Sequence, residues 1–157
     1  MSDIGAVHHI GFTVRDLEAS LRFYRDQLGC TVTMQQRKSG GYLAEIVGYP
    51  EATVKMAHLS PPSGSPLIEL FEYVAPATIP ADLEPARVGN AHICLIVDDL
   101  QEVYERLVRE GVGFYSPPVD VDTGVNSGGR GAYARDPDGI TIELFQPPAG
   151  ESMAGAS

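Results

Sequence analysis

His9-Ile-Gly-Phe-Thr-Val-Arg-Asp-Leu17 and His92-Ile-Cys-Leu-Ile-Val-Asp-Asp-Leu100 share five of nine residues at an offset of 83. A second pair of segments, Ile68-Glu-Leu-Phe71 and Ile142-Glu-Leu-Phe145, is identical throughout at an offset of 74. The chain therefore contains two copies of one unit, each opening near a histidine and closing near a glutamate, with the first copy nine residues longer between the matched ends. Module 1 is expected at 7–74, a linker at 75–90 and module 2 at 91–146, together making one domain of 157 residues.

Each copy reads as strand, helix, then three strands. Val7 to Val14 is β-branched and apolar, and Asp16 stands where a helix N-cap belongs. Leu17, Leu21, Tyr24 and Leu28 then follow at helical spacing, with Gly29 as the stop. The second copy has Asp99 as cap, Leu100, Val103, Tyr104, Leu107 and Val108 on one stripe, and Gly111 as stop. Strands are predicted over Thr31 to Gln36, Thr53 to Leu59 and Leu67 to Val74, and again over Val112 to Tyr115, Gly131 to Arg135 and Ile140 to Gln146. Asp136-Pro-Asp-Gly139 is a hairpin signal.

The remaining segments read as connections. Ala75 to Asn90, with three prolines and no period, is the linker. Ser39 to Glu51 is an insertion whose Tyr42-Leu-Ala-Glu-Ile-Val47 suits one or two helical turns. Asp122 to Gly131 is a candidate mobile loop; its Gly128-Gly-Arg-Gly131 lacks the Lys-Ser/Thr of a phosphate-binding loop. Pro147 to Ser157 is expected to be a disordered tail.

Composition narrows the function. Apolar residues make up 43% and charged residues 20%, and no apolar run approaches the length of a spanning helix. Twenty-one acidic residues against eleven basic give a net charge of −10, which argues against nucleic acid and anionic membranes as partners. No leader-like segment stands at Met1 to Val7, so the expected compartment is the cytoplasm. Cys30 and Cys94 form no CxxC pair and are expected to be buried thiols.

Strand alternation then isolates four residues. On the first strand, His8, Ile10, Phe12 and Val14 make the face that packs under the helix, and His9 falls on the other with Gly11 and Thr13. In the second copy His92 shares a face with Cys94 and Ile96, opposite the aliphatic Ile93, Leu95 and Val97. Glu69 and Glu143 sit between aliphatic neighbours, where a carboxylate is costly unless compensated. A lone strand histidine is more often structural or solvated, and a lone strand glutamate more often faces water. Recurrence of both types at equivalent places favours a shared divalent cation held by His9, Glu69, His92 and Glu143. His58 has no histidine as its copy-mate and is assigned a packing role. Thr13, Phe71, Cys94, Phe145, Tyr133 and the 126–130 loop are expected to line a pocket for a partly apolar small molecule.

His9-Ile-Gly, Asp16-Leu-x-x-Ser-x-x-Phe-Tyr24 and Asp136-Pro-Asp-Gly-x-x-x-Glu143-Leu resemble the vicinal oxygen chelate superfamily of glyoxalases, bleomycin-resistance proteins and extradiol dioxygenases. The resemblance spans Val7 to Gln146 and implies an α+β fold, two tandem βαβββ modules forming a cupped, barrel-like mixed sheet around a metal. The order His, Glu, His, Glu is that of bacterial glyoxalase I, and methylmalonyl-CoA epimerase is similar. It implies a lyase or isomerase using one divalent ion (Ni, Co, Mn, Zn or Fe) to support an enolate or enediolate, with Glu143 or Glu69 as general base. The same resemblance implies a homodimer. The alternatives are an Fe(II) extradiol-type dioxygenase, held by His9, His92 and Glu143, and a small-molecule-binding resistance protein.

Overall fold

The computed structural model describes residues 4–150, so the last seven residues of the expected tail lie outside the described residues. The chain divides between Ala81 and Asp82 into two compact units, each built around one sheet. Both are mixed α+β.

The first unit runs β1 (His9–Thr13), α1 (Leu17–Leu21), β2 (Thr31–Ser39), α2 (Tyr42–Val47), β3 (Thr53–Ser60) and β4 (Leu67–Ala75). Its sheet has the order β1-β4-β3-β2, with β1 parallel to β4 and the remaining pairs antiparallel. The second unit runs β5 (His92–Ile96), α3 (Leu100–Arg109), β6 (Gly113–Phe114), β7 (Val119–Asp120), β8 (Arg130–Arg135) and β9 (Thr141–Gln146). Its path is β5-β9-β8-β6, with β7 also on β8 and β5 parallel to β9. The topology thus repeats along with the sequence. Both sheets are open at their edges, and neither is a closed barrel by itself.

Three local departures from expectation have physical causes. The nine-residue β2 has as its counterpart two fragments, β6 and β7, on the same edge of β8. Ser116-Pro-Pro118 separates them, and proline offers no N–H to a ladder. The predicted single helix from Leu17 to Leu28 is a short α-helix followed by a π-helical stretch over Arg22–Gln27, closed by Leu28 N–H donating to the Phe23 carbonyl at 3.0 Å. Its two adjacent aromatics, Phe23 and Tyr24, are both buried, edge-on to each other at 5.0 Å. Finally, His8 precedes the strand and is exposed rather than packed under the helix.

Capping and burial follow the residues. Asp16 accepts from Ala19 N–H and Asp99 from Glu102 N–H, each at 3.0 Å. Gly29 and Gly111 leave the two helices at φ of +77° and +86°, a region that side-chain-bearing residues avoid. Leu17, Leu21, Tyr24, Leu59, Ile68 and Leu70 are fully buried in the first unit, and Leu100, Leu107, Ile142 and Leu144 in the second. These residues occupy one face of each sheet and the helix laid on it. The opposite face is left for His9 and Glu69 in one unit and for His92 and Glu143 in the other.

Candidate metal centre

The parallel pairing of first and last strand carries each histidine to its glutamate. Gly11 lies opposite Glu69 in the β1–β4 register, and Cys94 opposite Glu143 in the β5–β9 register, so the histidine two residues earlier stands on the same face. His9 Nε2 is 3.3 Å from Glu69 Oε2, and His92 Nε2 is 3.1 Å from Glu143 Oε2. The histidine side chains are 41% and 44% exposed, whereas those of Glu69 and Glu143 are 11% and 25% exposed. The acids are therefore held in the sheet and the imidazoles reach outward from its rim.

Those spacings suit a shared cation. Two donors each about 2.1 Å from one ion are about 3.0 Å apart at an octahedral angle and about 3.4 Å apart at a tetrahedral one. Among the described residues no group of three or more His, Cys, Asp or Glu is assembled for a metal; the predicted ligands stand as two pairs, one per unit. The imidazole and carboxylate donors fit a divalent transition ion. His9 has in addition the outer partner that metal-bound histidines usually have, since its Nδ1 lies 2.8 Å from Nδ1 of His8. Were Nε2 turned to a cation, His9 Nδ1 would carry the proton and donate a hydrogen bond to His8 Nδ1.

The surroundings of the two carboxylates differ. His58, opposite Glu69 on β3, places Nε2 2.6 Å from Oε1 and stacks its ring on that of His9, centroids 6.2 Å apart. The packing role assigned to it is therefore corrected to a polar contact with a predicted ligand. The histidine lacks a histidine copy-mate because the equivalent place, opposite Glu143 on β8, belongs to Tyr133. The signal that could have found it was register: counting back across the Pro61–Pro66 turn sets position 58 against position 69. Tyr133 lies against His92, ring centroids 5.2 Å apart, and burial together with the Glu143 charge pushes its phenol above the usual value. Cys94 is exposed, contrary to expectation, because it shares the face of His92 instead of the aliphatic face. Although the residue as a whole is exposed, partial covering of its sulfur, then the Glu143 charge and the hydrogen bond to Glu143, push its thiol up to about 11. Both groups thus stay protonated at neutral pH.

The insertion supplies an apolar wall in the first unit. Leu43 of α2 packs with Val54 and Met56 of β3, and Met34, Val47, Phe71 and Tyr73 gather against them. Met56 and Phe71 are two residues from His58 and Glu69 on the same strands, so this cluster lies on the ligand-bearing face. In the second unit Phe145 is half-buried beside Gly129, and Arg130 is paired with Asp120 at 3.0 Å.

The sequence profile of the Glyoxalase/Bleomycin resistance protein/Dioxygenase superfamily matches residues 6–144. The chain belongs to this superfamily. The superfamily member is 29% identical over 151 residues to a 2-epi-5-epi-valiolone epimerase of an Actinomyces species, covering 92% of this chain and 81% of that one. It is 33% identical over 150 residues to a lactoylglutathione lyase of Neisseria meningitidis serogroup A, covering 91% of each. A glyoxalase family protein of Bacillus cereus shares the superfamily fold with a TM-score of 0.78 at 23% identity, over 94% of this chain and 97% of that one. The superfamily resemblance carried by the histidine and glutamate motifs is thereby established, and relatives with named enzymatic activities support an enzyme. Among the described residues no helix is long and apolar enough to cross a membrane.

Proposed function

We propose that the protein is a divalent-metal-dependent isomerase or lyase that moves a proton on a small substrate carrying paired oxygens. The observation that supports this most is the repetition of one His–Glu pair, at matching register and nearly equal spacing, in both units. His9, Glu69, His92 and Glu143 are the proposed ligands, two imidazoles and two carboxylates that together balance a dication. A bound divalent ion supplies Lewis acidity to the substrate's oxygens.

The chain's own residues do the rest. Glu143, the more exposed of the two acids, is the proposed base that takes the proton from the carbon next to the substrate carbonyl; Glu69 is the alternative. Cys94 keeps its proton and donates to Glu143, steadying the carboxylate before and after transfer, while the Tyr133 ring lies against His92. The wall of Leu43, Met56 and Phe71 excludes water and favours an apolar portion of the substrate. Named relatives that are an epimerase and a lyase both favour proton transfer over oxygen insertion.

Elemental analysis of the purified protein, followed by proton NMR in deuterium oxide with lactoylglutathione and 2-epi-5-epi-valiolone as probes, tests the reading. The expected result is one metal per chain, with deuterium entering the carbon-bound position of a turned-over probe and exchange abolished by a chelator. Protein that binds no divalent metal overturns it in favour of a binding protein. Stoichiometric iron with oxygen consumption on a catechol overturns it in favour of a dioxygenase.

A further inference from the structure

We propose that His58 is a positioning residue for Glu69, donating Nε2–H to Oε1 so that only Oε2 is presented beside His9. The proposal rests on the metal reading above and assigns a role to a side chain outside the four ligands. Three observations carry it.

The first is distance. His58 Nε2 and Glu69 Oε1 are 2.6 Å apart, well inside the 3.0–3.4 Å or so that separates two donors sharing one ion. That spacing belongs to a charge-assisted hydrogen bond. A carboxylate only accepts, so the proton is on Nε2 whether the ring is neutral or charged. His58 therefore addresses Glu69 and not the cation.

The second is the division of labour on one carboxylate. Oε1 is engaged by His58 while Oε2 faces His9 at 3.3 Å, so each oxygen has a separate partner. Glu69 is 8% exposed between Ile68 and Leu70, where an oxygen without a partner is costly. A carboxylate fixed through one oxygen offers the other as a single-oxygen ligand, with its swing removed in advance.

The third is the contrast between the copies. The place opposite Glu143 is held by Tyr133, whose ring lies against His92, and the residue opposite on the other side is Cys94 in place of Gly11. Among the described residues Glu143 has His92 beside it but no second imidazole to match His58. Glu69, less exposed and met by an imidazole on each oxygen, is accordingly the more firmly held ligand, and Glu143, with the Cys94 thiol as its further partner, is the one that alternates between holding the ion and taking a proton.

Calorimetric titration of the metal-free full chain with Co(II), paired with the visible spectrum of the Co(II) form, tests this. His58→Ala is expected to weaken binding about 10- to 100-fold with an unchanged spectrum and one ion per chain. His58→Gln, whose amide N–H also donates, is expected to restore most of the loss. Melting in chelator confirms that each variant is folded, and His58→Leu replaces the alanine variant if the latter is not. Binding by His58→Ala within twofold of the native chain overturns the proposal while leaving the metal reading intact. A changed spectrum that His58→Gln does not restore overturns it by making His58 itself a ligand. A native chain that binds no Co(II) overturns the metal reading and this proposal together.

Discussion

Glu72 within β4 and Gln146 at the end of β9 occupy equivalent places, and each accepts at a side-chain oxygen from the first N–H of its unit's helix: Glu72 Oε2 from Leu17 and Gln146 Oε1 from Leu100, both at 2.9 Å. The last strand thereby helps to cap the helix that follows the first. Only Glu72 also holds a cation, with Lys55 Nζ 2.6 Å from its Oε1.

An acid-stability difference follows. Burial pushes the Glu72 carboxyl up, but the Lys55 ammonium and the Leu17 N–H outweigh it and hold the group below the ordinary glutamate value. A depressed folded-state value means stability that is complete above about pH 4.3, the unfolded value, and is lost as pH falls through the folded one. Glu72→Gln, which keeps the cap as Gln146 does, is expected to lose about 1 kcal/mol at pH 7 and nothing at pH 2–3. Urea melts at the two pH values check this; an equal loss at both would refute it.

Thr141 Oγ1 is buried without a hydrogen-bond partner among the described residues, in a side chain 1% exposed. An unpaired buried hydroxyl forfeits its hydration without return. Thr141→Val keeps the shape and removes the oxygen, and is expected to stabilise the protein by about 1 kcal/mol, read as a higher urea midpoint at unchanged slope.

Gly129 precedes β8 in close contact with β9. A Cβ there meets Phe145 Cζ at 2.7 Å and the Gln146 carbonyl oxygen at 2.9 Å, and the latter is backbone that cannot rotate away. Gly129→Ala is expected to destabilise by about 1–3 kcal/mol. Gly131→Ala is the control, since its nearest neighbour is Glu143 Oε1 at 4.0 Å; similar losses from both would refute the steric account.

The carboxylates separate kinetically. Glu143→Gln is expected to lower turnover about 10²- to 10⁴-fold, the range for removing a general base, while the metal remains bound. Glu69→Gln, disturbing a ligand held by His58, is expected to show its loss first in metal retention. Dialysis followed by elemental analysis, alongside turnover, distinguishes them; full turnover by Glu143→Gln with metal bound removes it as the base.

The two-unit organisation was legible because His9-Ile and Ile68-Glu-Leu-Phe71 recur almost unchanged, and periodicity alone placed His9 and His92 off the aliphatic faces. What escaped depended on neighbours across strands. Nothing local to His58 marks it as opposite Glu69, since that follows from the length of a turn. The π-helical stretch after Leu21 likewise leaves no trace in a stripe of leucines and tyrosine, because 3.6 and wider periods diverge little over ten residues. Cys94 was misjudged from its apolar sequence neighbours, although it alternates with them.

The strand order has a bearing on how the chain acquires its shape during synthesis. In each sheet the last strand to be made is an interior one: β4 lies between β1 and β3, and β9 between β5 and β8. A ribosome delivering the chain from its amino end exposes β1, β2 and β3 with their central partner still missing, and the same delay recurs for β5 and β8. Each sheet waits for its first and last strands to meet, across 58 residues from His9 to Leu67 in one and 49 from His92 to Thr141 in the other, a slow step set by chain entropy. The first half can complete this once Ala75 has emerged, well before the second half has begun to pair.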